Sequence, residues 1–304
     1  ELGASAYEKR GIAVTVPTWD ASTCIQCNQC AFVCPHATIR PFALTEEEAA
    51  AAPEKTTLIP AKGKAAAGLQ YTLAISPLDC MGCNVCVVQC PTNSLSMAPA
   101  EGELVQQEVF DYCVAEVSDK PEIQDATVKG SQFKQPLLEF SGACAGCAQT
   151  AYARLVTQLF GDRMYISNAT GCSSIWGGPA ATSPYTVNKE GRGPAWANSL
   201  FEDNAEHGLG MLLGQNAVRE NSFLKTAQTK LWPMRRTHGS MSAIKPRRAR
   251  PLLMHMLQSS SASSLRARQM PIWPSLSSPT KTISRRNPSG SSAAMAGHTI
   301  SVTA

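Results

Sequence analysis

The sequence lacks long hydrophobic runs, and none of its stretches reaches the ~18 apolar residues that a membrane span needs. No secretory signal peptide is visible, and the sequence opens with Glu1-Leu2-Gly3 instead of methionine. We therefore expect an internal part of a longer protein that has no membrane partner. Because its cysteines read as free thiolates, we expect the cytoplasm, or a reducing organelle of an anaerobic eukaryote, as its compartment.

Acidic residues are nearly absent from the last part of the chain. From Gln215 to Ala304 there are 14 lysines and arginines and one acid, Glu220, although the whole chain has 27 basic and 23 acidic residues. Serines and scattered prolines without helical or strand periodicity predict a disordered tail over residues 226–304. Such a composition is also typical of a basic nucleic-acid-binding arm, but we expect no nucleic-acid partner, for a reason given below.

Cysteine, by contrast, is abundant and ordered: 12 residues, none after Cys172. Eight of them form two runs with identical spacing, each followed by proline, namely Cys24-x-x-Cys27-x-x-Cys30-x-x-x-Cys34-Pro35 and Cys80-x-x-Cys83-x-x-Cys86-x-x-x-Cys90-Pro91. This spacing is typical of a pair of [4Fe–4S] clusters, in which the fourth cysteine of each run binds the other cluster. The predicted ligand sets are Cys24, Cys27, Cys30 and Cys90 for cluster one, and Cys80, Cys83, Cys86 and Cys34 for cluster two.

Zinc and disulfides are the alternatives for these runs. A third cysteine at the next x-x step exceeds what one zinc tetrahedron needs, and disulfides are expected in short secreted chains. Alternating apolar residues around each run predict strand, cysteine turn, short helix and strand, once over residues 11–42 and again over 69–97. Residues 1–100 are thus predicted to form an α+β, bacterial two-[4Fe–4S] ferredoxin-like module.

Residues 101–135 are predicted to be a polar connector with one short helix between Val105 and Val117. Cys113 fits no ligand spacing there, and we expect a buried structural thiol. His36, next to Pro35, is expected at the surface rather than as a ligand.

A second cysteine group follows the connector. Cys144 and Cys147 precede an expected helix that Gly161 ends, with an apolar stripe at Tyr152, Leu155, Val156, Leu159 and Phe160. A strand over residues 164–168 then leads into the turn that carries Cys172. Helix, strand and glycine-containing turn are typical of an α/β ligand site. Three cysteines are one short of a [4Fe–4S] ligand set, and no later residue can supply the fourth.

Longer stretches of the chain resemble the pyruvate:ferredoxin (flavodoxin) oxidoreductases, which are thiamine-diphosphate enzymes. The resemblance covers residues 1 to about 225. The stretches that carry it are Tyr7-Glu-Lys-Arg-Gly-Ile-Ala-Val14, Cys24 to His36, Ser76-Pro-Leu-Asp-Cys80, Leu138-Glu-Phe-Ser-Gly-Ala-Cys-Ala-Gly-Cys147, Asn168-Ala-Thr-Gly-Cys-Ser-Ser-Ile-Trp-Gly-Gly178 and Gly191-Arg-Gly-Pro-Ala-Trp-Ala-Asn-Ser-Leu-Phe-Glu-Asp-Asn-Ala-Glu206.

The resemblance implies an internal fragment of an enzyme that oxidises pyruvate with coenzyme A to acetyl-CoA and CO₂ and passes electrons to ferredoxin or flavodoxin. It implies a homodimeric parent enzyme, inactivity of the fragment alone, and a partial α/β thiamine-diphosphate-binding domain over residues 136–225. Cys144, Cys147 and Cys172 match three ligands of a further cluster. Cys172 and Gln149 match positions that approach thiamine diphosphate, although the family usually has Glu where this chain has Gln149.

The family's Gly-Asp-Gly motif, which holds Mg²⁺ on the diphosphate, is absent from the sequence. When residues Asn287 to Ala304 are read one frame over, however, their codons permit Ser-Val-Trp-Leu-Val-Gly-Gly-Asp-Gly-Trp-Ala-Tyr-Asp-Ile-Gly-Tyr-Gly. We therefore interpret residues 226–304 as out of frame, with the slip between about Val218 and Pro233. A frame error also produces a basic tail without selection for nucleic-acid binding.

The alternative function is a stand-alone, two-cluster ferredoxin-like electron carrier without catalytic activity. Residues 1–100 would suffice for such a carrier, since metal binding and folding are coupled. A measurement of iron distinguishes the two functions, because two clusters hold about eight irons per chain and three clusters hold about twelve.

Overall fold

The computed structural model of the chain describes residues 2–236 and 301–303. They belong to two compact units, one formed by Glu1–Gly214 with Ala296–Ala304 and the other by Gln215–Met295. In the described ranges, every helix is too short or too polar to cross a bilayer.

The first 100 residues contain two halves built in the same order. In chain order their elements are β1 (Thr15–Trp19), α1 (Gln29–Val33), β2 (Ile39–Leu44), α2 (Glu46–Ala50), β3 (Ile59–Pro60), β4 (Gln70–Ile75), α3 (Val85–Val88) and β5 (Leu95–Pro99). The first and last strands, β1 and β5, pair antiparallel in one sheet, with Thr15 opposite Pro99. The two strands between them in the chain order of the repeat, β2 and β4 (here called the inner strands), pair antiparallel in a second sheet, with Ile39 opposite Ile75. The predicted internal repeat, whose halves face each other, is confirmed.

The first strand begins later than the alternation at residues 11–16 predicts. Gly11 has a φ of 57°, and its N–H donates to the carbonyl of Leu78 at 2.7 Å. The left-handed conformation, which glycine adopts without steric cost, turns the chain here. β1 therefore starts only at Thr15.

The predicted connector belongs to the hydrophobic core. It contains α4 (Ala100–Glu103), α5 (Gln106–Glu116) and α6 (Val128–Ser131), and α5 confirms the helix expected between residues 105 and 117. Val109, Phe110 and Cys113 on α5 pack in one cluster with Leu44 and Ala74 of the inner strands. Cys113 is fully buried, as predicted, and burial raises the pKa of its thiol to about 12.

The remaining elements form a mixed α/β arrangement. They are α7 (Ala148–Phe160), β6 (Tyr165–Ala169), α8 (Cys172–Gly177), β7 (Ala195–Ser199), α9 (Asn204–Arg236) and β8 (Ser301–Thr303). β6 lies between β7, its parallel neighbour, and β8, its antiparallel neighbour. Met164, Ile166 and Trp176 share one core cluster with Ala153 of α7. Both α7 and α8 therefore pack against the same hydrophobic core.

The buried face of α7 includes only part of the predicted apolar stripe. The prediction is wrong for Tyr152 and Phe160, which are 73% and 37% exposed. It is confirmed for Val156, which packs against the core cluster of Ile166 and Trp176. A polar stripe with the spacing i, i+4, i+7, i+8 is buried instead: Thr150, Arg154, Thr157 and Gln158. The physical reason is that carbonyl and amide groups of distant segments meet this side of the helix and pair with its polar atoms.

The tail predicted to be disordered over 226–304 differs from that expectation in two places. Residues 226–236 continue α9, and Ser301–Thr303 form β8. A helix that is already nucleated extends at little cost, and Ala227, Gln228, Lys230 and Leu231 have good helix propensity, whereas Pro233 does not. Valine and threonine, at positions 302 and 303, are residue types that strands favour. The prediction for residues 237–300 and 304 lies outside the described residues.

Candidate metal centres

Eight cysteines line two cavities between the two halves of the repeat. Cys24, Cys27, Cys30 and Cys90 line the first cavity. Cys34, Cys80, Cys83 and Cys86 line the second. The fourth cysteine of each run therefore lies at the cavity of the other run, which is the crossed grouping expected for a pair of clusters.

The crossing follows from the strand pairing. The first three cysteines of each run lie before and within its short helix, and the fourth lies where the chain leaves toward the next strand. Cys34 is at the end of α1, before β2, which pairs with β4. Cys90 is after α3, before β5, which pairs with β1. Antiparallel pairing of the two halves thus carries each fourth cysteine to the other half.

The cysteine loops have the same backbone conformation in both halves. Asn28 and Asn84, each directly after the second cysteine of its run, have φ values of 61° and 64°. Gln26 and Gly82, directly before that cysteine, are also left-handed. Their N–H groups donate to Cys24 Sγ and Cys80 Sγ, both at 3.4 Å. Backbone donors aimed at thiolate sulfur stabilise the negative charge of an iron–sulfur centre.

Burial controls the protonation of several thiols. Burial raises the pKa values of Cys30 and Cys86 well above the ordinary value, and raises that of Cys80 to about 11. At Cys90, burial acts in the same direction, but hydrogen bonds from Thr92 and the following backbone outweigh it and lower the pKa. Loading of a metal centre therefore releases protons from the buried thiols, because the ligands must be thiolates.

The donor set suits an iron–sulfur cluster. In the described part of the chain, no three His, Cys, Asp or Glu side chains converge as a single metal ion requires, whereas a [4Fe–4S] cluster is bound at four separate irons. All twelve cysteines are free. Trp19, Tyr71 and Leu73 line the first cavity, and Ile39, Val85 and Met97 line the second. Such apolar surroundings limit water access and tune the potential.

His36 is buried, so its expected surface position is wrong. It is 2% exposed, and its Nδ1 and Nε2 atoms lie 3.1 and 3.2 Å from the carbonyl oxygens of Ser141 and Cys144. Burial lowers the pKa of His36 despite these two acceptors. The neutral ring donates to only one of the two carbonyl oxygens. The side chain links the first cysteine run to the segment that contains Ser141 and Cys144.

The second cysteine group lies on the starts of two helices. Cys147 is the N-cap residue of α7 and is partly buried, whereas Cys144 is exposed. Cys172, also exposed, is the first residue of α8. Gln149 lies in the first turn of α7, and its Nε2 atom is buried without a hydrogen-bond partner. An unpaired buried amide is unusual in a folded protein and is compatible with a bound polar group.

Comparison with known proteins finds similarity in both the cysteine-run module and the sequence that follows it. Residues 23–94, which include both cysteine runs, match the family described as "4Fe-4S dicluster domain". The chain is 57% identical over 220 residues to the pyruvate-flavodoxin oxidoreductase of Enterobacter agglomerans, covering 72% of this chain and 19% of that protein. It is 56% identical over 235 residues to the pyruvate:ferredoxin oxidoreductase of Moorella thermoacetica, covering 75% and 20%.

The predicted resemblance to these oxidoreductases is confirmed. A third relative, the NADP⁺-dependent pyruvate dehydrogenase of Cryptosporidium parvum, is 52% identical over 221 residues, which is 72% of this chain and 11% of that protein. The chain spans about a fifth of the length of the first two oxidoreductases. The iron–sulfur interpretation of residues 23–94 is also confirmed.

Proposed function

We propose that this chain is a fragment of a pyruvate:ferredoxin (flavodoxin) oxidoreductase and forms its electron-transfer segment. The observation that carries the proposal is the extent of the similarity. A stand-alone ferredoxin-like carrier needs only the cysteine runs, yet the similarity extends over 220 residues at 57% identity. It therefore includes sequence well beyond residues 23–94.

Two [4Fe–4S] clusters would be held by the two cysteine quartets. The four cysteines at each cavity support this assignment. Each cluster, when bound, accepts and donates one electron at a time. The chain's contribution is to supply thiolates, to direct the backbone N–H groups of residues 26, 82 and 94 at sulfur, and to surround the sites with apolar side chains.

Cys144, Cys147 and Cys172 are proposed as three ligands of a third cluster, whose fourth ligand this chain does not contain. Gln149 and Cys172 are proposed to approach thiamine diphosphate, which the parent enzyme binds with Mg²⁺. The buried, unpaired Nε2 atom of Gln149 supports this role. The parallel strands β6 and β7, with α8 after β6, support a partial thiamine-diphosphate-binding domain over residues 136–225, after the module of residues 1–100 and the connector of 101–135.

The partners follow from the same proposal. Ferredoxin or flavodoxin would accept the electrons, while pyruvate and coenzyme A would bind to parts of a homodimeric parent enzyme that lie outside this chain. Exposed large apolar side chains support contact with further protein: Tyr152 is 73% exposed, Ile175 is 76% exposed and Phe201 is 57% exposed. Their distribution on α7, α8 and the β7–α9 loop is compatible with an interface.

The proposal predicts electron transfer without turnover. The chain is loaded anaerobically with iron and sulfide, reduced, freed of reductant and mixed with oxidised flavodoxin. We expect the flavodoxin spectrum to show reduction, and we expect no acetyl-CoA when pyruvate and coenzyme A are added. Acetyl-CoA formation by the chain would contradict its assignment as a fragment, and failure to reduce flavodoxin would contradict the electron-transfer role.

We also propose that residues 226–304 are out of frame with the rest of the chain. The permitted Gly-Gly-Asp-Gly motif supports this, as does the fact that the three relatives named above match only 72% to 75% of the chain. Resequencing the nucleic acid around codons 218–233 tests it. A single inserted or deleted base is expected there, whereas an uninterrupted frame that encodes the printed tail would contradict the proposal.

A further inference from the structure

Arg154 on α7 is a buried cation whose partners are all neutral. It is 2% exposed. Its Nη1 atom donates to Gln132 Oε1 at 3.0 Å and to Gln158 Oε1 at 2.6 Å, and its Nη2 atom donates to the carbonyl of Phe32 at 2.6 Å. Its Nε atom is buried without a partner. None of the ion pairs in the described ranges includes Arg154.

A guanidinium in this position is costly. Removal of a charge from water is strongly unfavourable unless an opposite charge compensates it, and neutral amide and carbonyl acceptors supply only part of that compensation. Burial lowers the pKa of Arg154 to about 10, while the Cys34 thiolate favours the charged form. At neutral pH the side chain is therefore a charged group that lacks a carboxylate.

The location of Arg154 indicates where its counter-charge lies. Phe32, whose carbonyl it contacts, is in α1 between Cys30 of the first quartet and Cys34 of the second. Phe32 is in the last turn of α1, where carbonyl groups point toward the C-terminal end of the helix, and Cys34 is the residue that caps this end. A four-thiolate [4Fe–4S] centre carries about two negative charges when oxidised and about three when reduced. The negative charge near Arg154 thus increases when the centre gains an electron.

We propose that Arg154 is the buried counter-cation of the centre held by Cys34, Cys80, Cys83 and Cys86, and that it raises the reduction potential of that centre. The inference rests on the proposed function, since it assumes that this quartet holds a cluster. One-electron reduction by an external reductant adds one negative charge, and a fixed cation nearby stabilises the reduced state more than the oxidised state. Arg154 acts through the field around the cluster and is a positioning residue.

The test is an anaerobic redox titration of the loaded chain, followed by electron paramagnetic resonance. In Arg154→Gln the reduction equilibrium constant of one centre is expected to fall about tenfold, which is about 59 mV for a one-electron couple. The other centre is expected to change little, and Arg154→Lys, which retains the charge, is expected to stay near the native potential. Arg163→Gln is the matched control, because it removes an exposed arginine that lies just after the end of α7.

A purely structural role predicts a different pattern. It would leave both potentials unchanged, or would shift them equally in Arg154→Gln and Arg154→Lys, and either result overturns the proposal. If Arg154→Gln does not take up iron and sulfide, the Gln132→Glu variant tests the proposal instead. It keeps the arginine and places a carboxylate next to the guanidinium. A lower potential of the same centre in Gln132→Glu supports the counter-cation, and an unchanged potential overturns it. Iron content measured on each variant shows separately whether the proposed clusters are present at all.

Discussion

Cys27→Ala is expected to remove one of the two clusters and to leave the other. Iron in the anaerobically loaded chain should fall from about eight to about four per chain, because three thiolates cannot complete the first quartet. The remaining centre should still be reducible. Iron and sulfide analysis together with electron paramagnetic resonance of the reduced protein measures the effect.

The crossed ligand grouping makes this prediction sharper. Cys90→Ala should lose the same paramagnetic signal as Cys27→Ala, although the two residues belong to different runs, because both line the first cavity. Cys34→Ala should lose the other signal, because Cys34 lines the second cavity. Cys113→Ala is the matched control, since this thiol is fully buried in another cluster of side chains and should not affect iron. If Cys90→Ala and Cys86→Ala lost the same signal, the crossing would be wrong.

Arg40→Met is expected to destabilise the loaded chain by about 3–5 kcal/mol, because it leaves Glu139 as an uncompensated buried charge. Arg40 is on β2, pairs with Glu139 and lies 5.2 and 5.3 Å from the ring centroids of Phe110 and Phe140. Both charged residues are 6% exposed. The measurement is the guanidinium concentration at which native circular dichroism is lost.

The double variant Arg40→Met/Glu139→Leu separates charge burial from packing. Replacement of both partners by apolar residues removes the unpaired charge, so most of the lost stability should return. If Arg40→Met unfolded at the same guanidinium concentration as the unsubstituted protein, the ion pair would contribute little to the stability of the fold. A double variant no more stable than the single one would show that the aromatic contacts of Arg40 dominate instead.

The cysteine quartets could be predicted from the sequence because the spacing that indicates them lies within short stretches of the chain. Ligand spacing fixes three cysteines of each run around one site, and the repetition of the run indicates that two such halves face each other. The short helices, β4 and β6 also follow from hydrophobic periodicity over a few residues. These features depend on nearest neighbours along the chain, and the sequence predicts each of them to within a few residues.

The errors concern contacts between distant segments. The polar face of α7 is buried because Arg154 meets Phe32 and Gln132, and periodicity alone favours the apolar face that contains Tyr152. His36 is buried because Ser141 and Cys144, more than 100 residues away, bring carbonyl oxygens to both ring nitrogens. The polar stripe of α7 was a visible signal, since residues 150, 154, 157 and 158 repeat at helical spacing.

We propose that this chain holds two iron–sulfur clusters in two crossed cysteine quartets. Iron quantification combined with a reductive titration followed by electron paramagnetic resonance tests it most directly. We expect about eight irons per chain and two one-electron centres. A protein that stays colourless after anaerobic loading, or that binds zinc and shows no reducible paramagnetic centre, would contradict it.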